Sequence, residues 1–114
     1  MQTDERGNLY QLTAQVFVST THPGMTRGNH FHTHKMERFL VLAGSAEILL
    51  RPIELEDACR VQRIQVHGDK PKVVDIPPYT IHSIRNTGST EMVLMVGCSE
   101  DWDEKDPDTF PEIV

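Results

Sequence analysis

Between two glycines the chain reads Gly24-Met25-Thr26-Arg27-Gly28-Asn29-His30-Phe31-His32-Thr33-His34-Lys35-Met36-Glu37, and then Arg38-Phe39-Leu40-Val41-Leu42-Ala43-Gly44. As a pattern this is G-x5-H-x-H-x4-E-x6-G. Histidines two apart share a face only on an extended strand, because the side-chain period of a strand is two. Glu37 joins them if the four intervening residues make a tight turn. The stretch therefore demands a strand, a turn and a returning strand. His82, in His82-Ser83-Ile84-Arg85-Asn86, is a fourth candidate from far downstream. Three neutral imidazoles and a carboxylate suit a divalent first-row metal. The rest of the chain is expected to build a small β-barrel around that site.

The flanking sequence supports this. Leu9 to Ser19 alternates in part, with Leu12, Ala14, Val16 and Val18 on one parity, and reads as a strand. Pro23-Gly24 is a strong turn signal. Glu37 to Leu42 is apolar on both faces, and Ala46, Ile48 and Leu50 align on one face of the next strand. Pro52 to Asp57 is a polar connection. Ala58 to His67 reads as a strand with one solvated face. Val73 to Ile76, Ile81 to Arg85 and Glu91 to Cys98 follow as strands, separated by Pro77-Pro78 and Asn86-Thr87-Gly88. No segment of ten or more residues holds a helical period, and seven glycines and seven prolines punctuate at short intervals. Many short antiparallel strands predict an all-β sandwich or closed barrel.

With 114 residues the chain is expected to form one domain, 1–114. The net charge of −6 is concentrated at one end. Residues 99–114, an acidic tail, hold seven of the 17 acids and one of the 11 bases, which leaves the first 98 residues neutral. No basic stripe exists for nucleic acid or an anionic membrane, so a small-molecule site is the better expectation. The opening MQTDERGNLYQL is polar and the apolar runs are short, which predicts no signal peptide and no transmembrane helix. The expected location is cytoplasmic, where Cys59 and Cys98 read as free thiols in packed positions.

The residues at His30, His32, Glu37 and Gly44 resemble cupin motif 1. Pro77-Pro78-Tyr79-Thr80-Ile81-His82-Ser83-Ile84-Arg85-Asn86 resembles cupin motif 2, P-x-G-x2-H-x3-N, with Tyr79 standing where the motif has glycine. Five runs sharpen the likeness: Asp4 to Leu9, Thr26 to His32, Phe39-Leu40-Val41, Val74 to Pro78, and Pro107-Asp108-Thr109-Phe110. Together they are similar to the C-terminal cupin domain of capsular-polysaccharide nucleotide-sugar epimerase/reductases of the CapF type. The resemblance implies a single cupin domain, a small double-stranded β-helix or jelly-roll barrel. It implies zinc at His30, His32, Glu37 and His82, and epimerisation at C3 of a UDP-linked 4-keto-6-deoxy-HexNAc. In that family a separate dehydrogenase-like domain reduces the ketone. This chain carries no glycine-rich dinucleotide fingerprint, so only the epimerase half is expected.

The ligand chemistry itself leaves Zn2+, Fe2+, Mn2+, Ni2+ and Co2+ open. Epimerisation beside a ketone needs a proton taken from one face and returned to the other; the candidates are His34, Lys35 and Tyr79. His34 shares parity with His30 and His32 but falls in the turn, which leaves an exposed position and a chemical role both open. Arg27 and Arg38 are candidates to receive a diphosphate, with strand-surface charge as the alternative. Asn86 reads as a turn former; Trp102 and Phe110 read as anchors of the acidic tail. Other functions compatible with the shell are a metal-dependent cupin dioxygenase, a keto-sugar isomerase and a non-catalytic sugar-binding cupin. Leu40 and Leu42 give the chain a second apolar face, which predicts a homodimer.

Overall fold

Strand β6 (Ser45–Pro52) shows in miniature why this sequence makes sheets. Ala46, Ile48 and Leu50 are buried while Ser45, Glu47 and Leu49 are only partly covered, so one face enters the core and the other looks outward. The computed structural model describes residues 1–54 and 60–114. Its other strands are β1 (Gln2–Asp4), β2 (Gly7–Gln11), β3 (Val16–Thr21), β4 (Thr26–Phe31), β5 (Glu37–Ala43), β7 (Gln62–His67), β8 (Val73–Ile76), β9 (Thr80–Asn86), β10 (Met92–Cys98) and β11 (Phe110–Pro111). They form two antiparallel sheets, in the orders β1-β2-β3-β10-β5-β8 and β11-β4-β9-β6-β7. This is the all-β jelly-roll barrel expected from the sequence. No helix among the described residues is long and apolar enough to cross a membrane.

The interior divides into two regions. The inner faces of β5, β6, β8 and β10 supply an apolar core that includes Val41, Ile48, Ile76, Met92 and Leu94. Phe39 belongs to that core and also touches the histidine end, with its ring 5.7 Å from that of His82. The apolar core is thus the floor on which the polar site rests.

One reading from the sequence is corrected. Leu9 to Ser19 is not one strand: β2 and β3 pair antiparallel, Leu9 opposite Ser19 and Gln11 opposite Phe17. The turn lacks glycine and proline, and Thr13 makes it instead, its hydroxyl accepting the amides of Gln15 and Val16. The polar N-terminus is itself a hairpin, since Gln2–Asp4 pairs with Gly7–Leu9. Of the expected strand from Ala58 to His67, Gln62–His67 is found. Ala58, Cys59 and part of the 52–57 connection lie outside the described residues.

On its outer face the six-stranded sheet carries a continuous apolar row. Tyr10 lies opposite Val18, Val18 opposite Met95, Met95 opposite Leu40 and Leu40 opposite Val73, across five strands.

Candidate metal centre

The site begins with a defect in a ladder. Strands β4 and β9 pair with Arg27 opposite Ile84 and Gly28 opposite Ser83, but then His30, not Asn29, lies opposite His82. Asn29 is the extra residue of a β-bulge. Gly28 (φ 97°) and Asn29 (φ 56°) both take left-handed backbone conformations, which glycine and asparagine adopt most readily. Before the bulge the odd-numbered Arg27 faces the interior with Ile84; after it, the even-numbered His30 and His32 do. One inserted residue therefore brings a guanidinium and two imidazoles to the same face.

Strand β5 supplies Glu37 and β9 supplies His82. His30, His32, Glu37 and His82 each offer a ligand atom, and all these atoms lie within 4.8 Å of one another. The imidazole rings are mutually close, with centroids 4.6–5.2 Å apart. Two main-chain carbonyls orient the rings. His32 Nδ1 is 2.7 Å from the Asp108 carbonyl oxygen and His82 Nδ1 is 3.1 Å from that of Thr80. A carbonyl only accepts, so both Nδ1 atoms carry the hydrogen and both Nε2 lone pairs point into the cluster.

The Nε2 lone pairs meet the Glu37 carboxylate, whose Oε1 is 2.5 Å from His32 Nε2 and 3.4 Å from His82 Nε2. Facing acceptors at such separations require a cation between them, a proton or a metal ion. His82 Nε2 is buried and has no hydrogen-bond partner among the described residues. These donors fit a divalent ion held through Nε2 of His32 and of His82, a ring nitrogen of His30 and a carboxylate, with carbonyls fixing two of the rings from behind.

Burial, together with the neighbouring His82 and His32, pulls His30 down to about 4, so it is neutral at pH 7 and its lone pair is free for a cation. Burial opposes ionisation of Glu37, yet the neighbouring His32 and His82 imidazoles outweigh it and hold the carboxyl below its usual range. Cys98 Sγ lies 3.8 Å from Glu37 Oε2. Burial and that carboxylate push the thiol up to about 11, which keeps it a protonated neighbour of the ligand.

A pH dependence follows for the metal-free protein. Unfolded His30 takes its proton near 6.5 and the folded residue only near 4, so the unfolded state binds more protons between those values and stability falls as pH drops through the window. The full window is worth up to about 3 kcal/mol at 1.36 kcal/mol per unit. The depressed Glu37 adds a further loss below its ordinary pKa of 4.5. Urea midpoints of chelator-stripped protein at pH 7 and pH 4.5 should show the decline, and His30→Gln should flatten most of it above pH 4.5.

The His30, His32, Glu37 and His82 cluster lines one end of a cavity of about 400 Å3. Its apolar wall includes Leu9, Phe17, Leu94 and Val96, and Trp102 is at its edge. Lys35 also lines it, is 7% exposed, and forms no ion pair among the described residues. Arg27 lines it too, donating from Nε to Thr21 Oγ1 (2.9 Å) and from Nη2 to the Thr20 carbonyl (3.1 Å), without a carboxylate partner among the described residues. Arg6 stands at the same cavity, tied to Asp4.

The other sequence candidates lie elsewhere. His34 points to the acidic tail, with Nδ1 2.5 Å from Glu100, and does not line the cavity. Tyr79 is 53% exposed and also outside it. Its backbone nevertheless takes a left-handed conformation (φ 58°), the kind glycine adopts most readily, and its amide donates to the His32 carbonyl at 2.6 Å. His82 therefore keeps its aim despite the substitution. Arg38 is exposed and pairs with Asp75. Asn86 is the turn former expected: buried, donating to the Thr21 and Thr90 carbonyls and accepting from the Gly88 amide. Phe110 stacks on Phe31 at 5.3 Å.

A residue missing from the sequence candidates is Asp108. It is buried, and its carboxylate accepts the amides of Thr33, His34 and Lys35 together with the Thr33 hydroxyl. Its place in a run of solvated-looking acids hid it; its one sequence signal was the Pro107-Asp108-Thr109-Phe110 run.

Residues 2–110 match the family model described as the polysaccharide biosynthesis C-terminal domain. A UDP-2-acetamido-2,6-beta-L-arabino-hexul-4-ose reductase of Pseudomonas aeruginosa is 36% identical over 96% of this chain and 30% of its own length. The crystal structure of the capsular polysaccharide assembling protein CapF from Staphylococcus aureus superposes with a TM-score of 0.93 at 37% identity, covering all of this chain and 31% of that one. QdtA, a sugar 3,4-ketoisomerase from Thermoanaerobacterium thermosaccharolyticum solved with TDP, matches 84% of this chain and 64% of its own at 26% identity and a TM-score of 0.66. The chain thus spans about a third of the length of the reductase and of CapF. The fold is that of a cupin domain.

Proposed function

The chain belongs to the polysaccharide biosynthesis C-terminal domain family, and from that premise we propose that it is a metal-dependent nucleotide-sugar epimerase. It inverts C3 of a UDP-4-keto-6-deoxy-HexNAc type sugar. The observation that carries this reading is the meeting of His30, His32, His82 and Glu37 at one end of a cavity that also holds Lys35 and Arg27, two cations in no ion pair among the described residues. The relatives' sugar-nucleotide chemistry supports the substrate class.

His30, His32, Glu37 and His82 would hold the metal, Zn2+ by family likeness, which when bound supplies Lewis-acid stabilisation of charge at the C4 ketone oxygen. The protein's own groups do the rest. Lys35, the only one of the three proton-transfer candidates at the cavity, carries the C3 proton on one face. Solvent entering the mouth equilibrates with the opposite face, and the enolate between the two is sheltered by the apolar wall of Phe17, Leu94 and Val96. Arg27, already oriented by Thr21 and Thr20, receives the diphosphate.

Incubation with the UDP-4-keto-6-deoxy sugar in D2O tests the reading. Deuterium should appear at C3 with inversion, and Lys35→Met should keep the metal while slowing exchange by about 10²-fold or more. Absence of C3 deuterium would reject epimerisation. A shift of the carbonyl from C4 to C3 would instead favour the ketoisomerase reading that the QdtA likeness makes the second choice. For the homodimer, we assign a second copy of the chain to the outer row of Tyr10, Val18, Met95, Leu40 and Val73; the solution mass checks it.

A further inference from the structure

The turn from His32 to Glu37 fixes the spacing of two ligands and delivers Lys35 to the cavity, yet its amides are held from elsewhere in the chain. Thr33 N–H reaches Asp108 Oδ1 at 2.8 Å, and His34 and Lys35 N–H reach Oδ2 at 2.9 and 3.1 Å. The Thr33 hydroxyl also donates to Oδ1, at 2.5 Å. The next amide, of Met36, donates to Ser99 Oγ at 2.9 Å. Asp108 has a second hold on the site, since its main-chain oxygen takes the Nδ1 hydrogen of His32 at 2.7 Å. It does so from a left-handed backbone (φ 49°) that aims the carboxylate at the turn while the carbonyl meets the ring. Downstream, β11 pairs with β4 at Phe31 and His30, which fixes Asp108 relative to the ligand strand.

We propose that Asp108 is a positioning residue: its carboxylate templates the 33–35 turn and its carbonyl fixes the His32 tautomer, so that His32, Glu37 and Lys35 converge on one point. One residue thereby sets both metal affinity and the placement of the proton-transfer group. Simple anchoring of the tail would use neither the three consecutive amides nor the ring nitrogen. The consequence for the metal rests on the ligand assignment made above; the tautomer consequence does not.

The experiment uses the full chain carrying Asp108→Asn, which tolerates the left-handed backbone but replaces one acceptor oxygen by a donor. Zn2+ affinity is measured by competition with a chromophoric chelator, and the His32 ring nitrogens are read by 15N NMR in the metal-free protein. The expected result is folded protein whose Zn2+ affinity is 10–100-fold weaker, the scale of losing an outer-shell partner, with His32 no longer a single Nδ1–H tautomer. Thr33→Val is the second variant; losing one hydrogen bond to the same carboxylate should weaken Zn2+ about fivefold. A folded Asp108→Asn protein with wild-type affinity and an unchanged ring overturns the proposal. If Asp108→Asn does not fold, Thr33→Val with wild-type affinity and ring signals overturns it equally. Should the wild type itself take up no Zn2+, the ligand assignment fails, and the ring signals of the variants alone decide for or against Asp108.

Discussion

Replacing Glu37 by glutamine should empty the metal centre without unfolding the barrel. The amide is nearly isosteric, but it puts neutral atoms where a buried carboxylate faces the Nε2 atoms of His32 and His82 at 2.5 and 3.4 Å. The charge that balances a divalent ion among three neutral imidazoles is then gone. Affinity should fall by at least about 10²-fold, beyond the loss expected from an outer-shell change. Epimerisation should fall further, because Lewis-acid stabilisation is worth several kcal/mol and each 1.36 kcal/mol is about tenfold in rate. Metal content by mass spectrometry and C3 exchange in D2O read the two losses on one sample. A Glu37→Gln protein with stoichiometric metal would sink the ligand assignment.

Gly28→Ala should damage fold and site together. A methyl at this position would lie 2.8 Å from the His82 carbonyl oxygen and 3.1 Å from Ser83 Cα, both backbone atoms that cannot swing aside. The backbone at φ 97° is strained for any L residue, at about 1–3 kcal/mol. Overpacking adds a similar amount. A combined loss of about 3 kcal/mol would lower the melting temperature by roughly 10 °C in a domain of this size. Because β4 and β9 would have to part just where His30 lies opposite His82, metal affinity should drop with stability. Gly24→Ala is the control: its backbone is also left-handed (φ 80°), but a methyl there meets nothing within 4 Å. It should cost less and leave metal binding intact.

That His30, His32, Glu37 and His82 would meet was legible, the first three from strand parity and spacing and His82 from the second motif, where Tyr79 takes a left-handed backbone in place of glycine. The bulge was not legible. Gly28-Asn29 could equally have been an ordinary turn pair, and only pairing with β9 shows that it places Arg27 with the histidines. Parity likewise grouped His34 with His30 and His32, but parity ends where the strand does: the turn sends His34 to Glu100 and Lys35 inward. Between Leu12 and Gln15, a threonine hydroxyl folded a stretch whose composition is that of a strand. Asp108 was unreadable for a different reason, since a carboxylate's burial depends on amides some 75 positions away along the chain.

That same separation orders events in time. On a ribosome, chains emerge N-terminus first and domains fold as their parts appear. Strand β4 and the turn to Glu37 are made early, but they cannot settle alone, because their edge, their amides and one histidine tautomer await residues 99–111. Contacts of this range are slow to close. The imidazoles and the carboxylate would therefore leave the ribosome unfixed and converge only once β11 has docked on β4. Capture of the proposed metal would in this sense be a late act of synthesis, and the stretch that looks most like a dispensable acidic tail is the one that would complete it.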